Sequence, residues 1–105
     1  MPLDITVSFD HVKNTWVVKP VGEVDIYTSP KMKEALIDSL KEKDIDILID
    51  CDELEYVDST GLGVLISILK RVRESGNDII IVNLKQNIRK LFDITGLDKV
   101  FIIKE

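Results

Sequence analysis

The sequence has 105 residues, of which 45% are hydrophobic and 31% are charged, and its net charge at pH 7 is −5. This size and composition predict one domain over residues 1–105, with a core that needs no metal, cofactor or disulfide. The acidic balance argues against a nucleic-acid-binding surface, which needs clustered Lys and Arg to neutralise phosphates.

Signals for export and for membrane insertion are absent from the sequence. Cys51 is the one cysteine, so no intrachain disulfide requires an oxidising compartment. The first residues have neither the basic start nor the apolar run of a signal peptide. Nothing approaches the ~18 consecutive apolar residues of a membrane span. We therefore expect a cytoplasmic protein with no membrane partner.

The first quarter of the chain predicts three strands. Ile5 to Phe9 alternates apolar and polar residues, as a half-buried strand does. Trp16 to Val21 predicts a second strand, and the polar stretch Asp10 to Asn14 suits a hairpin connection between the two. Residues 22–26 follow as a third strand, with a bend or bulge before it because Pro20 and a glycine lie there.

Helices and strands alternate in the rest of the chain, which predicts an α/β fold. Three helices are predicted: one that starts at Ser29, as N-cap, and Pro30, one from about Thr60 to Ser75, and a short one around 88–92 that ends near Gly96. Three strands are predicted between and after them: a buried central strand at 45–50, an apolar strand at 79–82 that is covered on both faces, and a strand at 100–103. The order is β-β-β-α-β-α-β-α-β. We expect parallel β-α-β units joined by right-handed crossovers, antiparallel N-terminal strands, and helices packed on this mixed sheet.

The start of the second helix contains three capping residue types, Asp58, Ser59 and Thr60. Ser59 is well placed as the N-cap, and Asp58 is the other candidate. A carboxylate here also favours the positive end of the helix dipole. Spacing alone predicts a helix cap.

Two glycines in the first turn of this helix need an explanation. Gly61 and Gly63 each cost about 1 kcal/mol relative to Ala in a helix. Either tight packing inside the domain requires them, or another backbone or a bulky group approaches there.

The helical wheel leaves two apolar residues outside the stripe that faces the sheet. At about 100° per residue, that stripe is Leu62, Leu65, Ile66, Leu69 and Val72. Val64 and Ile68 lie on its flank. They either pack on a neighbouring helix or form an exposed apolar strip beside Ser59 for a partner. No other long exposed apolar stripe stands out, so we expect a monomer.

Three segments resemble one known family over essentially the whole chain. The signature of STAS-domain anti-sigma factor antagonists is closely matched by Tyr56-Val57-Asp58-Ser59-Thr60-Gly61-Leu62-Gly63. Residues 22–25, followed by Ser29-Pro30, resemble the family's second conserved loop. Residues 91–97 are similar to its third helix and exit.

The resemblance implies a phosphorylation switch at Ser59. In the family, an ATP-binding anti-sigma factor that is also a serine kinase phosphorylates the matching serine. The unphosphorylated antagonist binds this partner and frees the sigma factor, phosphorylation breaks the complex, and a PP2C-type phosphatase restores it. Carried over, Asp25 and Asp58 flank the phosphosite. The predicted partner-binding residues are Asp25, Asp58, Ser59, Thr60, Gly61, Gly63, Val64 and Ile68.

A phosphate at this position is expected to block the partner and not to refold the domain. It adds about −1.5 to −2 charges at a helix end with free N–H groups and a positive dipole. A partner packed on Ser59 has to bury that dianion. Thr60, Ser67, Thr28 and Ser29 are competing phosphoacceptors, of which the adjacent Thr60 is not excluded by spacing.

Two alternative functions compete with this switch. A catalytic Ser59 needs a base, but the one histidine, His11, lies in the first turn region, and the sequence has no Gly-x-Ser-x-Gly elbow or phosphate-binding loop. We therefore expect no enzyme. The stronger alternative is a STAS accessory subunit of a transporter or of a stress-signalling assembly, since such domains also resemble this sequence.

Overall fold

The computed structural model describes residues 2–105. Its elements in chain order are β1 (Leu3–Asp10), β2 (Thr15–Val24), α1 (Ser29–Glu42), β3 (Asp46–Asp50), β4 (Leu54–Val57), α2 (Ser59–Glu74), β5 (Ile79–Val82), α3 (Gln86–Thr95), a short 3-10 helix (Leu97–Lys99) and β6 (Ile102–Lys104).

All six strands form one mixed sheet in the order β1-β2-β3-β5-β6, with β4 paired to β2. β1 and β2 are an antiparallel hairpin, and the other pairs are parallel. The predicted fold class, α/β with antiparallel N-terminal strands and parallel β-α-β units, is confirmed. Residues 46–50 form a central strand, as predicted.

One predicted strand does not exist, and one strand was missed. The predicted third strand at 22–26 is the end of β2, which continues through Pro20 because a register shift between Gly22 and Glu23 absorbs the irregularity. The missed strand is β4. Its two middle residues are exposed and its two end residues are buried, so no alternation marks it in the sequence.

The core lies on one face of the sheet. Leu36 of α1, Leu69 of α2 and Phe92 of α3 belong to the same buried cluster as Ile49 and Ile81 in the central strands. Three helices therefore cover this face, and they leave the other face of the sheet to polar and half-buried side chains.

The prediction that residues 79–82 are covered on both faces is wrong. Ile79 and Ile81 are fully buried, whereas Ile80 and Val82 are half-buried. Ile80 lies beside Leu48 in the ladder, outside the helix-covered cluster. The continuous apolar run arises because the open face is also apolar at this strand.

The first helix begins differently from the prediction. Its N-cap is Thr28, and Ser29 is the first helical residue and is buried. The Thr28 hydroxyl does not cap the helix but lies 2.8 Å from the Glu23 carbonyl oxygen, to which it donates. Pro30 is in the first turn, as predicted.

Candidate functional site at the amino end of α2

The amino end of α2 lies beside the turn that joins β2 to α1. β4 pairs with the end of β2, with Val24 opposite Val57. Just beyond this pair, the Asp58 amide donates to the Val24 carbonyl oxygen at 3.1 Å. Residues 24–28 and 57–61 therefore form one continuous region, although they are far apart in the sequence.

Asp58, and not Ser59, caps α2. One oxygen of its carboxylate, Oδ1, accepts from the amides of Thr60 at 3.0 Å and Gly61 at 3.2 Å. The same oxygen accepts from the Thr60 hydroxyl at 2.5 Å. That side-chain hydrogen bond, followed by those from the two amides, holds the pKa of Asp58 below its usual 3.8. The prediction of Ser59 as N-cap is wrong, because the charged carboxylate of Asp58, one residue earlier, accepts from both amides.

Ser59 is consequently free for other chemistry. It is the first residue of α2, its side chain is exposed, and its hydroxyl makes no hydrogen bond to residues 2–105. The four competing hydroxyls are each buried or engaged: Thr60 donates to Asp58, Thr28 donates to Glu23, Ser29 is buried, and Ser67 donates to the Val64 carbonyl oxygen at 2.8 Å.

Asp25 organises the neighbouring turn. Its Oδ1 accepts from the amides of Tyr27 at 2.9 Å and Thr28 at 3.0 Å. Its carbonyl oxygen accepts from the Ser29 amide at 2.8 Å. An Asp at this position is the usual way for a side chain to close such a turn. The carboxylate thus fixes the backbone that presents residues 26 and 27.

The region exposes three large apolar side chains that sequence reasoning did not select. Ile26 is 62% exposed, Tyr27 is 89% exposed, and Tyr56 in β4 is 46% exposed. Aromatic and apolar residues in this setting are the usual anchors of protein interfaces. Their closeness in sequence to Asp25 and Asp58 could have pointed to these three residues. They lie in a turn and in a short strand, where the side chains stay exposed.

The two glycines of the first turn have different surroundings. A Cβ on Gly61 would lie 2.5 Å from Val57 Cγ2 and 2.8 Å from Val24 Cγ1. A Cβ on Gly63 would have nothing within 4 Å. Packing inside the domain therefore requires Gly61, which is buried, whereas nothing inside the described domain requires the exposed Gly63.

The apolar flank of α2 is mostly covered. Ile68 is 2% exposed and belongs to the core, and Val64 is half-buried against it. α1 contacts α2, and this helix contact accounts for the cover. The prediction of Ile68 as a partner-binding residue conflicts with its burial; Val64 keeps a partly open side chain.

No catalytic or metal chemistry is assembled in the described residues. His11 is exposed in the hairpin turn, with its ring 4.5 Å from that of Phe9. Burial, and then the charge of Asp50, raise the pKa of the Cys51 thiol to about 12, so the thiol is inert. Residues 2–105 contain no group of three or more His, Cys, Asp or Glu placed to hold a metal ion. Within the same residues, no helix has the length and apolar character needed to cross a membrane.

A family model and a sequence relative both match nearly the whole chain. The model of the STAS domain family matches residues 6–105. A Bacillus subtilis protein named anti-sigma-B factor antagonist is 36% identical over 101 residues, covering 96% of this chain and 92% of its own.

Two solved structures share the fold. A putative anti-sigma factor antagonist from Thermotoga maritima superposes with a TM-score of 0.88 at 22% identity, covering 96% of this chain and 86% of its own. The Bacillus cell fate determinant SpoIIAA in its phosphorylated form superposes with a TM-score of 0.73 at 17% identity, covering 97% of this chain and 92% of its own. At these identities the likeness concerns the fold.

Proposed function

The chain belongs to the STAS domain family, and we propose that it acts there as an anti-sigma factor antagonist. The relative named anti-sigma-B factor antagonist matches nearly its whole length. Proteins of this kind are regulatory binding proteins and not enzymes.

The unphosphorylated form is proposed to bind an anti-sigma factor with serine kinase activity, and thereby to release the sigma factor. The observation that carries this proposal is Ser59: an exposed, unengaged hydroxyl at the first residue of α2. Tyr27 and Tyr56, which are exposed on the two segments that meet at the amino end of α2, offer the partner apolar anchors. The partner acts in the cytoplasm, where we place this protein too.

Phosphorylation at Ser59 is proposed to abolish this complex through charge. The amides of Thr60 and Gly61 already donate to Asp58, so a phosphate on Ser59 would not find these two N–H groups free, although the sequence predicts free N–H groups there. It would remain in solvent next to the Asp58 carboxylate. A partner packed there would have to desolvate a dianion beside a second anion. A loss of about 5.5 kcal/mol of relative affinity takes a complex from 99:1 to 1:99.

The same exposure supports reversal by a phosphatase. A phosphoserine at the first residue of α2 stands out from the surface and stays accessible to a PP2C-type enzyme. A protein of the same fold, SpoIIAA, has been solved in a phosphorylated form, which supports the expectation that this fold tolerates a phosphate.

The test uses the purified anti-sigma factor kinase encoded in the same genome. Wild type is incubated with this kinase and Mg-ATP, and intact mass and peptide mapping locate the phosphate; binding without ATP is measured by calorimetry. We expect one phosphate, on Ser59, and tight binding that Ser59→Asp loses.

The control variants separate Ser59 from its neighbours. Ser59→Ala should bind and take up no phosphate, whereas Ser67→Ala, which changes another exposed serine of α2, should behave as wild type. Thr60→Val tests the adjacent hydroxyl. Phosphate on Ser59→Ala, or equal binding of wild type and Ser59→Asp, would contradict the switch. Binding to a transporter subunit in place of the kinase would favour the accessory-subunit alternative.

A further inference from the structure

β1 is a long edge strand of the sheet, and within the described residues its backbone is engaged from outside the sheet only at its start, where Lys31 of α1 donates to the Leu3 carbonyl oxygen. It pairs along its whole length, from Leu3 to Asp10, with β2, and within the described sheet its other side has no strand. Proteins usually protect such edges with Lys, Pro, a bulge or a very short strand. β1 has eight residues and an unbroken register, and its only charged side chains, Asp4 and Asp10, lie near its ends. Its middle residues are therefore open to a further strand.

A groove runs beside this edge, between β1 and α1. Its volume is about 440 Å³, and its apolar lining consists of Val7, Phe9, Trp16 and Ala35. Val7 points to the helix-covered side of the sheet, opposite the fully buried Val18, and yet is 40% exposed. α1 therefore stops short of covering the sheet edge.

The helix side of the groove is acidic. Asp38 and Glu42 line it together with Ala35, at the i, i+3 and i+7 spacing that aligns residues on one side of a helix. Among residues 2–105, the ion pairs involve neither carboxylate. The nearby Lys43 instead places its ammonium 4.0 Å above the Phe9 ring. The groove thus combines an apolar floor, with Lys43 over one of its rings, and an acidic rim whose two carboxylates make no ion pair within residues 2–105.

We propose that the β1 edge and this groove bind an extended, basic segment of a partner protein by strand addition. The backbone of the segment pairs with β1, as in other complexes formed by strand addition. Its alternate side chains lie in the groove, where Arg or Lys lays an apolar stem along Val7 and Phe9 and brings its charge to Asp38 and Glu42.

Charge argues against a second copy of this chain as the occupant. A symmetric antiparallel pair of β1 strands would place the two α1 helices on the same face, with their acidic rims toward each other. It would also bring Asp4 of one copy near Asp10 of the other. Each copy carries a net charge of −5, so the interface would add like charges at close range.

This surface is separate from the amino end of α2. Phe9 and Trp16 pair at the beginning of β2, whereas Asp58 contacts Val24 at its end. The two surfaces lie at opposite ends of a ten-residue strand, so both can be occupied together, and the proposal does not depend on the function of Ser59.

The test titrates the protein with a blocked heptapeptide, Thr-Arg-Thr-Val-Thr-Arg-Thr, and follows its amide resonances by NMR. We expect shift changes in Thr6 to Phe9 and along the Ala35–Glu42 side of α1, with weaker binding at higher salt. Peptides with Glu in place of Arg, or with Pro in place of the central Val, should not bind.

A matched pair of variants tests the rim. Glu42 and Glu74 are each the exposed last residue of a helix, but only Glu42 lines the groove. Glu42→Gln should raise the dissociation constant about two- to fivefold, as expected for one exposed ion pair, and Glu74→Gln should leave it unchanged. The double variant Asp38→Asn/Glu42→Gln should weaken binding further.

Three results would overturn the proposal. These are no binding of the Arg peptide, equal binding of the Glu peptide, and shift changes away from β1 and α1. Sedimentation of the free protein tests whether a second copy of this chain binds the β1 edge instead. Self-association that Glu42→Gln strengthens would show that this edge is an interface between copies, and would also contradict the proposal.

Discussion

Asp58 accepts hydrogen bonds from the amides of Thr60 and Gly61 and from the Thr60 hydroxyl. This single carboxylate both starts α2 and decides which hydroxyl of the motif stays free. Thr60 is engaged and half-buried, and Ser59 is exposed with no hydrogen bond to the described residues. The chemical difference between two neighbouring hydroxyls is therefore set by the residue before them.

The capping role of Asp58 makes part of the stability depend on pH. Its pKa is lower in the folded protein than the usual 3.8, first because of the Thr60 hydroxyl. Its contribution is therefore complete above that value and is lost as pH falls through the lowered pKa. Asp58→Asn keeps a capping side chain without the charge. We expect urea unfolding to show a steeper fall in the wild-type free energy of unfolding below about pH 4 than in Asp58→Asn. Parallel curves would refute the assignment.

Gly61 and Gly63 allow the same substitution to be compared at a crowded and at an open position of the first turn of α2. Gly61→Ala places a methyl against Val57 and Val24 and should lower the free energy of unfolding by about 1–3 kcal/mol. Gly63→Ala meets nothing and should raise it by up to about 1 kcal/mol. Denaturant unfolding measures both, and an equal effect of the two would contradict the packing difference.

Gly63→Ala also tests the surface next to Ser59. If this variant is more stable and yet binds the proposed kinase partner less well, the exposed glycine is kept for the close approach of that partner. Unchanged binding would remove Gly63 from the proposed interface.

At the scale of elements, α2 has one face buried in the core and an exposed amino end. Leu62, Leu65 and Leu69 anchor the helix in the core, and the cap fixes its first turn. A helix held in this way can carry a phosphate at its first residue without rearranging, because the modified side chain already points into solvent.

Phosphorylation of Ser59 should therefore be a local event in the free protein. We expect backbone amide shifts to change within about residues 55–65 and in the adjoining turn at 25–28, which follows directly on Val24, the residue whose carbonyl oxygen accepts from the Asp58 amide. NMR spectra of the two forms measure this. Large shifts in the distant hairpin at 11–14 would show a refolded domain and would contradict blocking by charge and bulk.

The elements also differ in how well they could be predicted. α2 and the central β3 have strong periodicity, and their positions agree with the sequence patterns. β4 and the continuation of β2 depend on pairing between residues 22–24 and 54–57. A four-residue strand with an exposed middle is stabilised by its neighbour, and no local pattern reports it.

At the scale of the whole molecule, the reactivity of the buried Cys51 thiol measures whether the domain is folded. Burial and Asp50 raise the pKa of Cys51 to about 12, so its thiolate is scarce in the folded state. We expect alkylation at pH 8 to be negligible in the native protein and rapid in denaturant. The labelling rate against denaturant should follow the unfolding curve; fast labelling of the native protein would show that the core opens locally.

The monomeric state remains a prediction from the lack of a further long exposed apolar stripe in the sequence, and the lack of nucleic-acid binding remains a prediction from the net charge of −5. The sedimentation experiment on the β1 edge tests the first of these. The second is tested by adding duplex DNA at low salt, where any electrostatic binding is strongest.

The sequence by itself determined the α/β class, the amphipathic faces of the helices and the segment that carries Ser59, because periodicity and capping are local properties. Only the tertiary structure decided that Ile68 is covered, that Gly61 packs on Val24 whereas Gly63 is open, and that Tyr27 and Tyr56 are exposed on the two segments that meet at the amino end of α2. Each of these depends on segments distant in the chain being brought together. Exposure is a property of the packed neighbours, and a residue's own type and spacing do not contain it.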